Sequence, residues 1–427
     1  MKLAVIGGGS TYTPELIDGI LRRADRLPIT HIHLVDINLE RLTVIAAFAQ
    51  RMAKAAGSSI TIESGIDLRE AITGASFVVS QFRVGTQAAR HRDELLGRQF
   101  GLVGQETVGV GGFAKALRTI PVALSVARMV EEVAPHAILL NFTNPAGLIT
   151  QALRTHAPNV NTIGLCNVPW NTRVEVASAL GHASESISFD YIGLNHLSWI
   201  RGVEVDGKDR TREALTAFRG LTINKAQSGQ SPAWLQSDID LLQAIPNYYL
   251  LYYYAEKAWI EYQSSNPTRA SEVMKIEDQL MEKFADIELV TKPEELMQRG
   301  GAYYSDSAAE LMADIHQDAG TIHIVNTLNN GAVPGMPDDA VMEIPARITS
   351  AGARSISTRA MSPEISALVT PVKDFEMLTI DAAITGNQQS AKLALLANPI
   401  GPDITAVDDV WRELRNVNKG LIGLFNE

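Results

Sequence analysis

The stretch KLAVIGGGSTYTPEL, residues 2–16, constrains the fold more than any other part of the chain. An apolar run reads as a buried strand, and three consecutive glycines follow it at once. Thr13-Pro14 then open a segment in which Leu16, Ile17, Ile20 and Leu21 share one face of a helix. Proline suits a first helical position, and Thr13 reads as the cap. Glycines between a strand and a helix let the backbone approach a ligand closely, and the helix N-terminus offers unpaired N–H groups to an anion such as a pyrophosphate. Asp36 ends the next strand-like run, HIHLVDI, where a carboxylate accepts hydrogen bonds from ribose hydroxyls. Gly7, Gly8, Gly9, Ser10, Thr11 and Asp36 are therefore candidate dinucleotide-binding residues. The acid repels a 2′-phosphate, which points to NAD rather than NADP. Tyr12 occupies the place of the fingerprint's third glycine, so a purely structural turn is the competing reading.

The first half continues in the same alternation. Strand-like runs KLAVIG, HIHLVDI, SITIES, SFVVSQF, HAILLNF and NTIGLC, several separated by helical segments, predict a doubly wound parallel sheet with helices on both faces. From about residue 187 the pattern changes: ISFDYIGLNHLSWIRGVEVDGKD reads as antiparallel strands with a turn at Asp206-Gly207. Beyond residue 211 the signal is mostly helical, broken by loops such as NNGAVPGMPDD. The expected organisation is α/β, a Rossmann-like domain over 1–165 followed by a mixed α+β domain over 166–427 that carries metal, substrate and oligomer contacts.

Charge and cysteine content narrow the function. With 48 acidic and 37 basic residues the net charge is −11, which argues against a nucleic-acid or anionic-membrane partner. A small anionic ligand needs only a local cluster of arginines. One cysteine forms no internal disulfide, and no targeting segment precedes the first strand, so a cytoplasmic protein is expected. Apolar runs such as AILLNF are too short to span a bilayer.

Three stretches fall where the C-terminal edge of the sheet is expected: NFTNPAG with Asn144, CNVP with Cys166, and GLNHLSW with His196. Each has an ordinary structural explanation: a buried small thiol, a satisfied imidazole, an asparagine turn before proline. Together, thiolate and imidazole suit a borderline transition ion, although two ligands make an incomplete site. FRVGTQAARHRDE brings Arg83, Arg90 and Arg92, and GQETVGVGG brings Glu106. IPNYYLLYYY packs five tyrosines into seven residues. A solvated helix face and an aromatic core stripe are the competing readings for these.

In register, GGGSTYTPEL, GQETVGVGGFAKALRTIP, NFTNPAG, CNVP, NHLSW, IPNYYLLYYY, GGAYYSDSA and NNGAVPGMPDDAV resemble glycoside hydrolase family 4, most closely its 6-phospho-β-glucosidase branch. The likeness runs from residue 3 to about residue 400. It implies a fold like that of lactate and malate dehydrogenases and an elimination chemistry outside the two-carboxylate scheme of most glycosidases. Hydride leaves C3 of the sugar for NAD, a base removes the acidified C2 proton, the aglycone departs, water adds, and the hydride returns. By the resemblance, Cys166 and His196 hold Mn²⁺, and Asn144 holds substrate beside it. Tyr249 is the base, with Tyr248 as second choice, and Glu106 raises its basicity. Arg90 binds substrate, and Arg269 grips the 6-phosphate, for which a guanidinium is well shaped. Asn167 stands where α-glucosidase members carry an aspartate able to protonate the leaving group, which favours the β branch. The implied substrates are phosphorylated disaccharides or aryl β-glucoside 6-phosphates, and the implied assembly is a homodimer or homotetramer. Two alternatives remain: an ordinary NAD-dependent 2-hydroxy-acid dehydrogenase, and a non-catalytic NAD-binding sensor.

Overall fold

The computed structural model describes residues 1–218, 231–299 and 304–425, with the backbone alone at 304 and 305. Residues 300–303, which begin the GGAYYSDSA stretch, lie outside the described residues. Six strands form the expected parallel core: β1 (Lys2–Ile6), β2 (His31–Val35), β3 (Thr61–Gly65), β4 (Phe77–Ser80), β5 (Ile138–Asn141) and β6 (Asn161–Gly164). Their spatial order is β3-β2-β1-β4-β5-β6, so the winding reverses between β1 and β4. The crevice at such a reversal, outside the carboxyl ends of the strands, is where ligands bind in open α/β sheets.

The periodicity predicted for the first helix holds. In α1 (Thr13–Leu21) Leu16, Ile17 and Ile20 are fully buried, packed with Ile32 and Leu34 of β2 and Leu42 and Ala46 of α2 (Leu39–Ala55). Each such side chain contributes on the order of 1.5–3 kcal/mol. Thr13, however, does not cap this helix. Its hydroxyl donates to the Gly8 carbonyl at 2.8 Å and accepts from Gln81 Nε2 at 2.8 Å. Thr13 thus ties the glycine turn to the end of β4, and Tyr12 takes the cap position with its side chain not used as the cap.

On the opposite face the sheet packs against α5 (Gly109–Val133) and α6 (Ala146–His156). Among the described residues α5 is the one helix long and apolar enough to cross a membrane. The expectation that every apolar run is too short therefore fails for α5, whose length passes an isolated Lys115 and Arg118. Most of this helix is buried within the protein, consistent with a core helix.

The chain beyond residue 211 is mostly helical, as expected, but the reading missed the strands it contributes to the main sheet. Three strands, β11 (Ile322–Leu328), β12 (Val341–Thr349) and β13 (Gly352–Ser355), extend the main sheet past β6 with antiparallel pairing. NNGAVPGMPDD is the connection between β11 and β12. The junction is narrow, since Asn326 pairs with Gly164. Gly164 admits it because a Cβ there would lie 2.1 Å from Thr150 Oγ1 and 2.8 Å from Asn326 Cβ. A cut at residue 165 would therefore divide this nine-stranded sheet. The second sheet is as expected: β7 (Ile187–Leu194) and β8 (Leu197–Val205) form a hairpin, β9 (Lys208–Asp209) returns after the turn at Asp206-Gly207, and β10 (Ile245–Pro246) pairs with β8.

A fully buried ion pair locks α4 (Thr86–Gln99) to α5 and to the C-terminal segment. Arg118 donates to Asp93 Oδ1 at 2.9 Å, to Asp93 Oδ2 at 2.5 Å and to Asn418 Oδ1 at 3.0 Å. Removing one partner of such a pair strands an uncompensated charge in the interior. Arg118→Ala should therefore lower unfolding stability by about 3–5 kcal/mol in a urea titration. Breaking the exposed Arg210–Glu213 pair should leave the urea midpoint unmoved.

Candidate active site

The sequence-predicted residues gather at the carboxyl edge of the parallel strands. Gly7–Gly9 follow β1, Asp36 follows β2, Arg83 follows β4, Asn144 follows β5 and Cys166 follows β6. In the first of these turns the Gly7 and Gly8 N–H groups both donate to Val35 O at 2.9 Å. Gly7 has φ +89°, and a Cβ there would lie 2.8 Å from Phe82 backbone, so glycine is required. Asp36 accepts from Gly9 N and Asn38 N, both at 3.0 Å. The Thr11 hydroxyl is buried in this turn with no hydrogen-bond partner, an orphaned donor where a dinucleotide phosphate would sit. Arg41 Nε donates to Gly9 O at 3.3 Å, and Arg299 lies 3.7 Å over the Tyr12 ring. Both arginines also pair with Glu277, two guanidiniums to one carboxylate. The turn fits a dinucleotide with its negative pyrophosphate.

Cys166 is the N-cap of α7 (Asn167–Leu180), its sulfur accepting from Val168 N at 3.5 Å. Pro169 lies within the first turn of that helix, where a missing N–H costs nothing. His196 comes from a different sheet, at the two-residue turn between β7 and β8, with φ +64°. Left-handed backbone is uncommon for a histidine, and it aims the ring back at Cys166. The separation of Sγ and Nε2 is 3.6 Å. An ion with tetrahedral bonds of about 2.3 Å to sulfur and about 2.1 Å to nitrogen holds two such atoms about 3.6 Å apart. The tautomer is set from behind. The Thr107 hydroxyl donates to Gln105 Oε1 at 2.9 Å, so it accepts from His196 Nδ1 at 3.1 Å. That leaves the Nε2 lone pair facing the thiol. Burial, together with the charge of Glu343, pushes the Cys166 thiol up to about 12, against the Val168 N–H and Asn195. Burial also takes His196 down to about 3. The donor set is neutral imidazole beside a thiol that needs a cation to ionise, which suits a divalent transition ion.

The Tyr249 ring stacks on His196, centroids 3.7 Å apart and planes within 4°. Burial raises this phenol above its ordinary value, Cys166 and Glu106 raise it further, and Arg90 opposes them. Tyr248 stands edge-on to Tyr249 and is 41% exposed. Glu106 anchors the cations. Burial alone would raise its carboxyl, but Arg83, Arg90 and Lys115 outweigh burial and hold it well below the usual carboxylate range. Arg83 pairs with Oε2, Arg90 with Oε1 at 3.2 Å, and Lys115 Nζ with Oε2 at 2.7 Å. Burial lowers Lys115 to about 7, with Arg83 adding to the shift. Arg90 donates to Glu94 at 2.7 Å and stays charged because Glu106 and Glu94 overcome its burial.

Two predicted residues sit differently. Asn144 Oδ1 accepts from Ala146 N at 3.2 Å, making the turn into α6. The Arg269 side chain is 45% exposed, bonding Glu272 at 3.0 Å and Gln298 O at 2.8 Å, and its contacts do not include Cys166, His196 or Tyr249. Thr107, Arg299 and Glu343 were not anticipated. Glu343 accepts from Tyr191 at 2.6 Å and Asn195 at 3.0 Å, forming the polar floor behind Cys166. An acid in the apolar strand VMEIPARIT was the available signal.

The family model described as family 4 glycosyl hydrolase matches residues 2–182, and that of its C-terminal domain matches residues 191–401. A probable 6-phospho-beta-glucosidase of Bacillus subtilis is 39% identical, over 100% of this chain and 98% of its own length. The solved 6-phospho-beta glucosidase of Thermotoga maritima with manganese, NAD⁺ and glucose-6-phosphate superposes with a TM-score of 0.92 at 37% identity, covering 98% of each chain. Lactate dehydrogenase of Cryptosporidium parvum, at 16% identity and a TM-score of 0.51, covers 92% of this chain and 97% of its own and shares the fold alone.

Because the Thr107 hydroxyl selects the histidine tautomer, Thr107→Val should weaken binding of Mn²⁺ about 10–100-fold in a calorimetric titration. NAD binding, read from nucleotide fluorescence, should be unchanged.

Proposed function

The chain belongs to family 4 of the glycosyl hydrolases, and from that premise we propose that it hydrolyses 6-phospho-β-glucosides with NAD and Mn²⁺ as cofactors. The reaction is oxidation at C3, removal of the C2 proton, elimination of the aglycone, addition of water and re-reduction, with no net redox change. When bound, NAD takes and returns the hydride, and the divalent ion is the Lewis acid for the C3 oxygen. The observation that carries the assignment of residues is the stack in which Tyr249 lies on His196 while His196 meets Cys166 at 3.6 Å. Gly7, Gly8, Gly9, Ser10, Thr11 and Asp36 hold the dinucleotide, and Cys166 and His196 hold the ion.

Tyr249 takes the C2 proton. The negative charge of Glu106 strengthens it as a base while making its ionised form scarcer, and Arg90 works the other way. The burial of Tyr249 against His196 supports it over Tyr248. Arg83, Arg90 and Lys115 gather around Glu106, and an anionic, phosphorylated substrate would favour the charged form of Lys115, which supports such a substrate. Asn144 contacts the sugar. Arg269 reaches the 6-phosphate by releasing Glu272, an exchange that costs little for so exposed a pair. Asn167 has no acidic proton, which supports departure of a β-linked or aryl leaving group with the help of water. A phosphorylated sugar does not cross a bilayer unaided, which supports a cytoplasmic site of action. Exposed Leu235 and Leu241 supply apolar surface for a homodimer or homotetramer.

Hydrolysis of p-nitrophenyl-β-glucoside 6-phosphate should require both NAD⁺ and Mn²⁺ and accumulate no NADH. Release of nitrophenol with either one omitted would overturn the reading. Tyr249→Phe should lower kcat about 10²–10⁴-fold and Tyr248→Phe far less. Cys166→Ser should lose Mn²⁺-dependent turnover while still binding NAD.

A further inference from the structure

A second group of metal-ligating side chains lies away from the active site, on the outer strands of the parallel sheet. His31 and His33 are two residues apart on β2, so both project from one face. Glu63 pairs in register with His33 on β3, the edge strand of the sheet. Ligand atoms of the three all lie within 4.8 Å of one another. His31 Nε2 is 3.1 Å from Glu63 Oε2, and His33 Nδ1 is 3.9 Å from the same oxygen. A tetrahedral ion bound at about 2.0–2.1 Å holds neighbouring nitrogen and oxygen ligands about 3.3 Å apart, so the His31–Glu63 pair is already at coordination spacing and the His33 ring closes on it by a small side-chain rotation.

His33 supplies an independent observation. It is 3% exposed on a strand whose neighbours are Ile32, Leu34 and Val35, and its Nδ1 faces Glu63 at 3.9 Å, beyond hydrogen-bond reach, while the unpartnered Nε2 lies toward Gly65. A buried imidazole nitrogen without a partner is costly, and an ion on Nδ1 would give that nitrogen one. The groups around it are His31, Glu63, Glu70 and Lys2. The Lys2 ammonium is spent on the carbonyls of Glu70 and Thr73, at 2.9 and 2.8 Å, rather than on either histidine.

We infer that His31, His33 and Glu63 form a peripheral site for a borderline divalent transition ion, Zn²⁺ by donor chemistry, that clips the edge strand β3 to β2. Two imidazoles and one carboxylate are a three-ligand set that leaves a position for water. The site stands at the start of β2, whereas Asp36 and the active site lie past its end, roughly 16 Å along the strand from His31. Its role is to hold an edge strand that has a partner on one side only. Metal at this site stabilises the nucleotide-binding half and takes no part in turnover, and the inference does not rest on the glycosidase reading.

Zn²⁺ titrated calorimetrically into the metal-free full-length protein should bind two equivalents, one of them lost in His31→Ala and in Glu63→Gln. Both substitutions fall on partly exposed side chains, so folding is retained. Co²⁺ identifies which site remains. Cys166→Ser should keep one equivalent with ligand-field bands and no sulfur charge-transfer band, and the His31→Ala/Glu63→Gln double variant should keep the charge-transfer band. Zn²⁺ should raise the thermal midpoint of Cys166→Ser and leave that of Cys166→Ser combined with the double variant unmoved. Turnover with NAD⁺ and Mn²⁺ in the double variant should equal that of the parent. The same number of equivalents in the parent and in the double variant would overturn the site.

Discussion

A single buried carboxylate, Glu106, organises the active-site crevice. Three cations converge on it from two elements: Arg83 and Arg90 from the segment after β4, and Lys115 from α5. Burying any of them alone would be prohibitive, because a charge taken out of water must find its opposite. Glu106 therefore fixes where these side chains point. Through them it sets the local excess of positive charge, and next to it Thr107 orients the histidine. Moving that carboxylate would disturb the local field of positive charge, the tautomer of His196 and the proton affinity of Tyr249 together.

The Cys166–His196 pair, proposed above to hold the ion, depends on a second constraint, the meeting of two sheets. Cys166 leaves β6 of the main sheet, and His196 is the turn of the β7–β8 hairpin. What holds them in register is a polar floor contributed by β12. Glu343 bonds Tyr191 and Asn195 of the hairpin segment and, at 3.3 Å, Asn326 of β11. The strands that lengthen the main sheet are thus also the ones that seat the hairpin. The donors of this buried network converge on the one carboxylate, which makes it a precise spacer, and Asn326 Oδ1 alone among these groups is left without a partner.

Much of this was legible beforehand where the signal was local. The six parallel strands, the glycine turn, the acid after β2 and the hairpin could be read because periodicity and turn chemistry act over a few residues. Thr13 was misjudged as a cap because its hydroxyl is claimed by Gly8 and Gln81, the latter 68 residues away. The strands β11–β13 were missed because TIHIVNTL and VMEIPARIT are short apolar runs of uncertain period. Arg269 and Arg299 show the limit plainly. Both are arginines in polar stretches, and only packing decides that Arg299 is buried against Glu277 and Tyr12 while Arg269 faces Glu272.

By itself the sequence determined the class of fold, the edge of the sheet at which chemistry had to occur and the residue types available there, since each follows from local pattern. It also carried the family likeness, which rests on the order of motifs along the chain. The tertiary structure alone decided that the sulfur of Cys166 and a nitrogen of His196, 30 residues apart, stand at coordination distance. It alone chose which tyrosine of five stacks on that histidine, and that Thr107 holds the ring from behind. The reason is that distance and tautomer are set by contacts between elements remote in sequence, and no local pattern encodes them.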